Sequence, residues 1–284
     1  MALTDDPTIL WTIAPYTLAI LGGVVAGIVN TLAGNGSAIT LPILMFTLGL
    51  DVRQAWGTNR VGVLLASLVG AGTFKQSGVL ESKGILWMLV PTVVGATIGA
   101  TVATFLDAEA MHWVIAIVMV FILVVVLTQP KRWIKQKGQK DLQAFEEVLD
   151  NPRKLSRTIC FFLVGVYGGF IQMGVGFLLL AVLVLQARYD LVKANAIKVV
   201  IVMAFTIPAL VIFHCKGMVE WPIGLLLAAG QCVGAWIAAR FASRHPRADV
   251  WIRRLLIVML IVALIKLFGI DNQLVSSLHS VEGA

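Results

Sequence analysis

Apolar positions along this chain run in long unbroken blocks, with neither the single stripe of a surface helix nor the alternation of a half-buried strand. Eight blocks stand out, at about 9–49, 54–74, 84–106, 111–128, 158–187, 192–213, 221–239 and 250–269. A helix needs roughly 20 apolar residues to cross a hydrocarbon core, and most blocks reach that length. Runs such as Trp113–Leu127 do not alternate in polarity, unlike the strands of a transmembrane β-barrel. The pattern predicts an all-α, polytopic membrane protein. A polar stretch, Gln129–Arg157, carries eight Lys/Arg and four Asp/Glu and divides the blocks four and four. It defines a first transmembrane repeat over 1–128, a cytoplasmic connector over 129–157 and a second transmembrane repeat over 158–284.

The two sets of four resemble each other. A shift of 139 positions lays Asp51 on Asp190, Ala55 on Ala194, Phe74 on Phe213, Gly78 on Gly217 and Glu81 on Glu220. Fourteen of the 53 positions from Asp51 to Ala103 are identical, against roughly one in ten from a restricted membrane alphabet. The matching polar loop residues point to a duplicated fold.

Blocks one and five are interrupted in mid-course, by Gly27–Ser37 and Gly168–Gly176. A shift of 142 superposes Gly27 on Gly169, Asn30 on Gln172 and Gly34 on Gly176. Close helix packing accounts for isolated glycines such as Gly95 or Gly234. It does not account for polar amides beside paired glycines at matching places. The expected helix-break glycines are Gly27, Gly34, Gly36, Gly169, Gly174 and Gly176. Irregular backbone at membrane depth is tolerated only against protein or a water-filled cavity, and paired interrupted segments point to a transporter's binding site.

Basic loops set orientation. The Lys131–Lys140 cluster and the five arginines from Arg240 to Arg254 are expected on the cytoplasmic side. Counting back from each, blocks one and five must be hairpins, the acidic N-terminus lies outside, and the halves run in opposite directions. The reading is two inverted repeats, each opening with a glycine-broken helical hairpin, in the inner cell membrane.

Composition narrows the function. The chain is 59% apolar and 13% charged, where soluble domains average about 25% charged; a soluble enzyme and a disordered scaffold are excluded. The net charge of +7 follows from the basic loops, so no nucleic-acid partner is expected. Three distant cysteines, Cys160, Cys215 and Cys232, give neither zinc-site spacing nor a disulfide framework. The acidic start, unlike a signal peptide, suggests that the first block is retained.

The break Gly27–Gly36 followed by Leu41-Pro42, the run Ala55-Trp-Gly-Thr-Asn59 and the partner run Ala194-Asn-Ala-Ile-Lys198 resemble the sulfite exporter TauE/SafE family across nearly the whole chain outside 129–157. The resemblance implies a permease for sulfite, sulfonates or related organic anions. Two departures bear on the choice of anion. Members commonly carry consecutive glycines where this chain has Gly34-Asn35-Gly36-Ser37, and Thr-Ser or Thr-Asn is frequent where it reads Ala-Ile-Lys.

Ionisable groups deep in a membrane are costly and functional by default. Arg60 lies about 13 Å and Lys198 about 12 Å along helices that begin after Asp51 and Asp190, residues placed to act as N-caps. Entering from opposite faces, the two cations would meet near the midplane. The alternative for each is snorkelling or pairing with a helix-end carbonyl. Asn30, Asn35, Ser37, Thr58, Asn59, Gln172 and Asn195 add neutral donors, and helix N-termini at the breaks add partial positive charge. No Asp or Glu interrupts a block interior, which weighs against a cation carrier. No nucleophile–base pair or metal-ligand cluster supports a membrane-embedded enzyme or sensor, so no catalytic residue, metal or cofactor is expected. The expected partners are a small anionic substrate and the lipid bilayer, with association into a homo-oligomer left open.

Overall fold

The computed structural model describes residues 7–80, 85–105, 154–187, 189–245 and 247–267. Block 111–128, nearly all of the connector, Glu81 and the tail lie outside the described residues. Those described form helices only: α1 (Pro7–Leu32), α2 (Ser37–Pro42, continued by a π turn Ile43–Thr47), α3 (Val52–Gln76), α4 (Leu86–Ala103), α5 (Lys154–Phe170), α6 (Val175–Ala181, continued by a π turn Val182–Gln186), α7 (Leu191–Cys215), α8 (Trp221–Arg244) and α9 (Ala248–Leu267). Among the described residues, four segments are long and apolar enough to cross a membrane: Ala14–Leu32 of α1, Leu86–Ala103, Leu191–Cys215 and Trp221–Arg244. Helix α3 has 25 residues but includes Arg53, Gln54, Asn59 and Arg60, which lower its apolarity.

The chain breaks after α1 and again after α5. Gly34 turns the first break with φ 84°, and Gln172 (φ 64°) with Gly174 (φ 76°) turns the second. A left-handed backbone suits glycine but strains glutamine. After the first break the chain doubles back along α1. A Cβ on Gly36 would lie 2.7 Å from that of Asn30, and one on Gly22 would meet Ile43. At the second, the Tyr167 hydroxyl donates to the Met173 carbonyl at 2.6 Å and Gly168 faces Val175. Blocks one and five are therefore hairpins with one long and one short limb. Their tips touch: a Cβ on Gly34 would run into Gly176, and one on Gly176 into Gly34.

Gly27 and Gly169, expected at the breaks, lie inside continuous helices instead. Each is a packing contact, Gly27 against the Gln231 backbone and Gly169 against that of Ala96. They belong to two close-packed pairs. In α4–α5, Gly95, Gly99, Gly165 and Gly169 abut the facing backbone; in α1–α8, Gly23, Gly27, Gly230 and Gly234 do so. Small residues permit this approach where lipid removes the usual hydrophobic drive. Large apolar side chains point the other way. Along α4, Val90, Val94 and Ile98 are exposed while Gly95, Ala96, Gly99 and Ala100 are buried, an arrangement suited to lipid.

These contacts also give directions. Gly57 meets Met218 and Gly62 meets Gln231, so α3 runs parallel to α8; Gly23–Leu227 and Gly27–Gln231 make α1 parallel to α8. Gly95–Phe162 and Gly169–Ala96 make α4 parallel to α5. Gly70 meets Val199 and Arg60 meets Phe213, so α3 and α7 are antiparallel. Arg53, at the start of α3, donates to the Thr104 carbonyl after α4 at 2.6 Å, which makes α3 and α4 antiparallel.

Helices α3 and α7 start alike. Asp51 accepts from the Arg53 and Gln54 amides at 2.8 and 2.9 Å, and Asp190 from those of Val192 and Lys193 at 2.9 Å. Each aspartate satisfies two amides that a helix start leaves unpaired.

Candidate functional site

The site grows from the two hairpin tips. A helix ending at a break leaves its last carbonyls without partners and carries partial negative charge there. Arg60, fully buried, reaches from α3 to the end of α5. It donates through Nη2 to the carbonyls of Gly169 at 2.5 Å and Phe170 at 3.3 Å, and through Nη1 to that of Gly168 at 3.4 Å. Its guanidinium lies 4.4 Å from the Phe213 ring centre, where a π face stabilises a cation. Lys198, also buried, reaches from α7 to the end of α1. Its Nζ donates to the carbonyls of Asn30 at 3.0 Å and Thr31 at 2.8 Å, and to Asn195 Oδ1 at 2.6 Å. Each cation thus caps the hairpin helix of the opposite half. Helix-end pairing, the alternative raised from sequence, is what both make.

The partners of both cations are neutral: carbonyls, one amide and one ring. Among the described residues neither pairs with a carboxylate. A charge removed from water costs several kcal/mol even after relaxation, and dipoles offset only part of that. Two buried basic side chains held by dipoles alone therefore stand at the two tips.

The neutral candidates sort unevenly. Asn59 accepts from Thr40 Oγ1 at 2.6 Å and donates to Ser37 Oγ at 2.9 Å, tying α3 to α2. Gln172 Nε2 donates to Thr206 Oγ1 at 3.1 Å. Asn30 enters through its carbonyl, with its side chain half-buried. Thr58 points elsewhere, its hydroxyl accepting from the Glu220 amide at 2.9 Å in the approach to α8. Asn35 is buried at the first tip, and neither amide atom has a partner among the described residues. Arg60 Nε, Asn195 Nδ2, Gln172 Oε1 and Gln231 Oε1 are likewise buried and without a partner among the described residues.

Three buried polar side chains that bear on the hairpins and their packing, Thr40, Gln231 and Thr206, were not expected from the sequence. Thr40 sits one turn after Ser37, so spacing could have revealed it. Gln231 interrupts the apolar run of α8, between Gly27 of α1 and Gly62 of α3, and that lone polarity was the available signal. Thr206 carried none. Among the described residues no group of three or more His, Cys, Asp or Glu could hold a metal ion.

Apolar spans and interrupted hairpins meeting around buried cations define a helical membrane transporter. The chain belongs to the family described as "Sulfite exporter TauE/SafE", whose family model matches residues 19–267. It is similar to the "Probable membrane transporter protein ORF9" of Sinorhizobium sp, 26% identical over 86% of this chain and 89% of the relative. The "Probable membrane transporter protein YfcA" of Escherichia coli K12 is 26% identical over 81% and 82%. A "Probable membrane transporter protein" of Haemophilus influenzae is 23% identical over 84% and 88%. No solved structure matches the chain significantly.

Proposed function

We propose that the protein is a multi-pass secondary permease of the inner cell membrane that moves a small oxyanion (sulfite, a sulfonate or a related organic anion) by alternating access between two inverted halves. One observation carries the reading: two buried cations without a carboxylate partner among the described residues stand at the hairpin tips. An anion between them offsets the cost of burying both charges, and a cation does not. The helix directions favour inversion. Helices α1 and α3 run with α8, while α4, α5 and α7 run against them. Opposite directions for matched elements of the halves are what an inverted repeat requires.

Alternating access has a physical handle here. The cation of each half holds the hairpin of the other, so an anion competing with the helix-end carbonyls loosens the cross-links as it binds. Arg60 offers a planar fork to two oxygens and Lys198 a point charge. Asn35, Gln172 and Asn195 would complete the site, with Asn30, Ser37 and Asn59 shaping its wall; Thr58 is left out. Uptake of radiolabelled sulfite into liposomes containing the pure protein tests the reading. Saturable uptake competed by sulfonates is expected; uptake of both sulfite and labelled sulfonates equal to that of empty liposomes would refute it. Topology has its own test: a cysteine at Ser276→Cys should react with an impermeant reagent in intact cells, and one in the connector should not.

A further inference from the structure

The unpartnered atoms at the tips include hydrogen-bond acceptors, which an anion cannot satisfy. Asn195 is oriented by Lys198: its Oδ1 faces the ammonium at 2.6 Å, so its unpartnered atom, Nδ2, is a donor. Arg60 Nε is a donor by chemistry. Asn35 has both amide atoms unpartnered, so it offers one donor and one acceptor whichever way the amide is turned. Gln172 leaves one amide atom unpartnered at the other tip, the acceptor Oε1 with the amide turned so that Nε2 donates to the Thr206 hydroxyl. Asn35, Gln172 and Asn195 are each no more than 4% exposed. These groups lie together along the backbone. Asn35 follows Gly34, which touches Gly176; Gln172 follows the carbonyls that hold Arg60; Asn195 holds the lysine that caps the first tip.

Resting on the anion reading above, we propose that the preferred substrate is an oxyanion that also carries a hydrogen-bond donor, an O–H or N–H group, received by the amide oxygens of Asn35 and Gln172. Arg60 Nε and the amides of Asn35 and Asn195 take the anionic oxygens. An anion with acceptors only leaves those two amide oxygens buried and unpaired, which is costly. A site built to hydrogen-bond a substrate hydroxyl rejects the analogue that lacks it more strongly than a pocket rejects a missing methylene.

Isosteres test this. Hydroxymethanesulfonate and ethanesulfonate differ by a hydroxyl in place of a methyl, and aminomethanesulfonate carries the N–H version. Binding to the purified full-length protein is measured by calorimetry, with sulfite as reference. Hydroxymethanesulfonate is expected to bind at least about tenfold more tightly than ethanesulfonate. The aminomethanesulfonate arm shows whether the donor is best as O–H or N–H. Asn35→Ala and Gln172→Gly should each collapse the ratio; the second also relaxes the strained φ of 64° at that position, so it should fold. Equal affinity for the two isosteres in the unaltered protein would overturn the donor proposal and leave the anion reading standing. A preference that survives in both folded variants would overturn the assignment to these amides. Failure of sulfite and all three sulfonates to bind would overturn the anion reading, and this proposal with it.

Discussion

Replacing Gly176 by alanine probes the contact between the hairpin tips. The new Cβ would lie 2.6 Å from the Gly34 carbonyl oxygen and 2.9 Å from its carbon, with the Gly34 Cα nearer still. Ordinary contact begins at 3.4 Å, so the tips must separate by roughly an ångström, and backbone cannot rotate aside as a side chain can. Overpacking of this kind costs about 1–3 kcal/mol. Gly176 lies in helical backbone within α6, so no conformational strain is added. Gly217 is the complementary control. Its φ is 67° with no described residue within 4 Å of a Cβ, so Gly217→Ala costs only the left-handed strain, about 1–2 kcal/mol. Gly34→Ala combines both effects, at φ 84° against Gly176. Thermal inactivation of the purified variants and anion uptake in liposomes separate stability from function. Gly176→Ala should lose most uptake while Gly217→Ala, destabilised to a similar degree, keeps it; Gly34→Ala should be the least stable. Normal uptake by a folded Gly176→Ala protein would refute the idea that the tips must meet.

Further outcomes follow from the same geometry. Asp51→Ala and Asp190→Ala each remove two amide contacts, so each should cost about 1 kcal/mol of stability with little change in anion affinity, read by thermal inactivation and calorimetry. Gly62→Ala should push the Gln231 side chain aside, since its Cβ would lie 2.7 Å from Nε2; Gln231→Ala in the same protein should recover the stability lost. Glu220→Gln should leave proton-driven uptake intact, because the Glu220 backbone amide makes the contact to Thr58; abolished proton drive with intact anion exchange would place a relay there.

The hairpins were legible because helix packing in lipid calls for small residues but not for polar amides set beside them. The caps at Asp51 and Asp190 were legible because an acid directly before an apolar helix has a local partner. Gly27 and Gly169 were misplaced because close packing and helix breaking both call for glycine, and only the facing backbones of Gln231 and Ala96 tell them apart. Thr58 was counted with Asn59 among the neutral donors, yet neighbours on a helix point about 100° apart, and Thr58 faces the Glu220 amide. The depth of Arg60 and Lys198 could be counted. Their partners could not, because the carbonyls they cap lie on the far half of the chain and carry no side-chain signature.

The central claim is that the two capping cations also hold the substrate. Sulfite affinity in liposome uptake, measured for Arg60→Gln, Lys198→Gln and the double variant at matched levels of folded protein, tests it directly. Losing one charge-assisted contact costs roughly 1.5–3 kcal/mol, so each single variant should weaken apparent affinity by about ten- to a hundredfold. The double variant should lose less than the combined effect because both groups contact one ligand. Unchanged affinity in either folded single variant would contradict the claim and leave that cation as a helix cap alone.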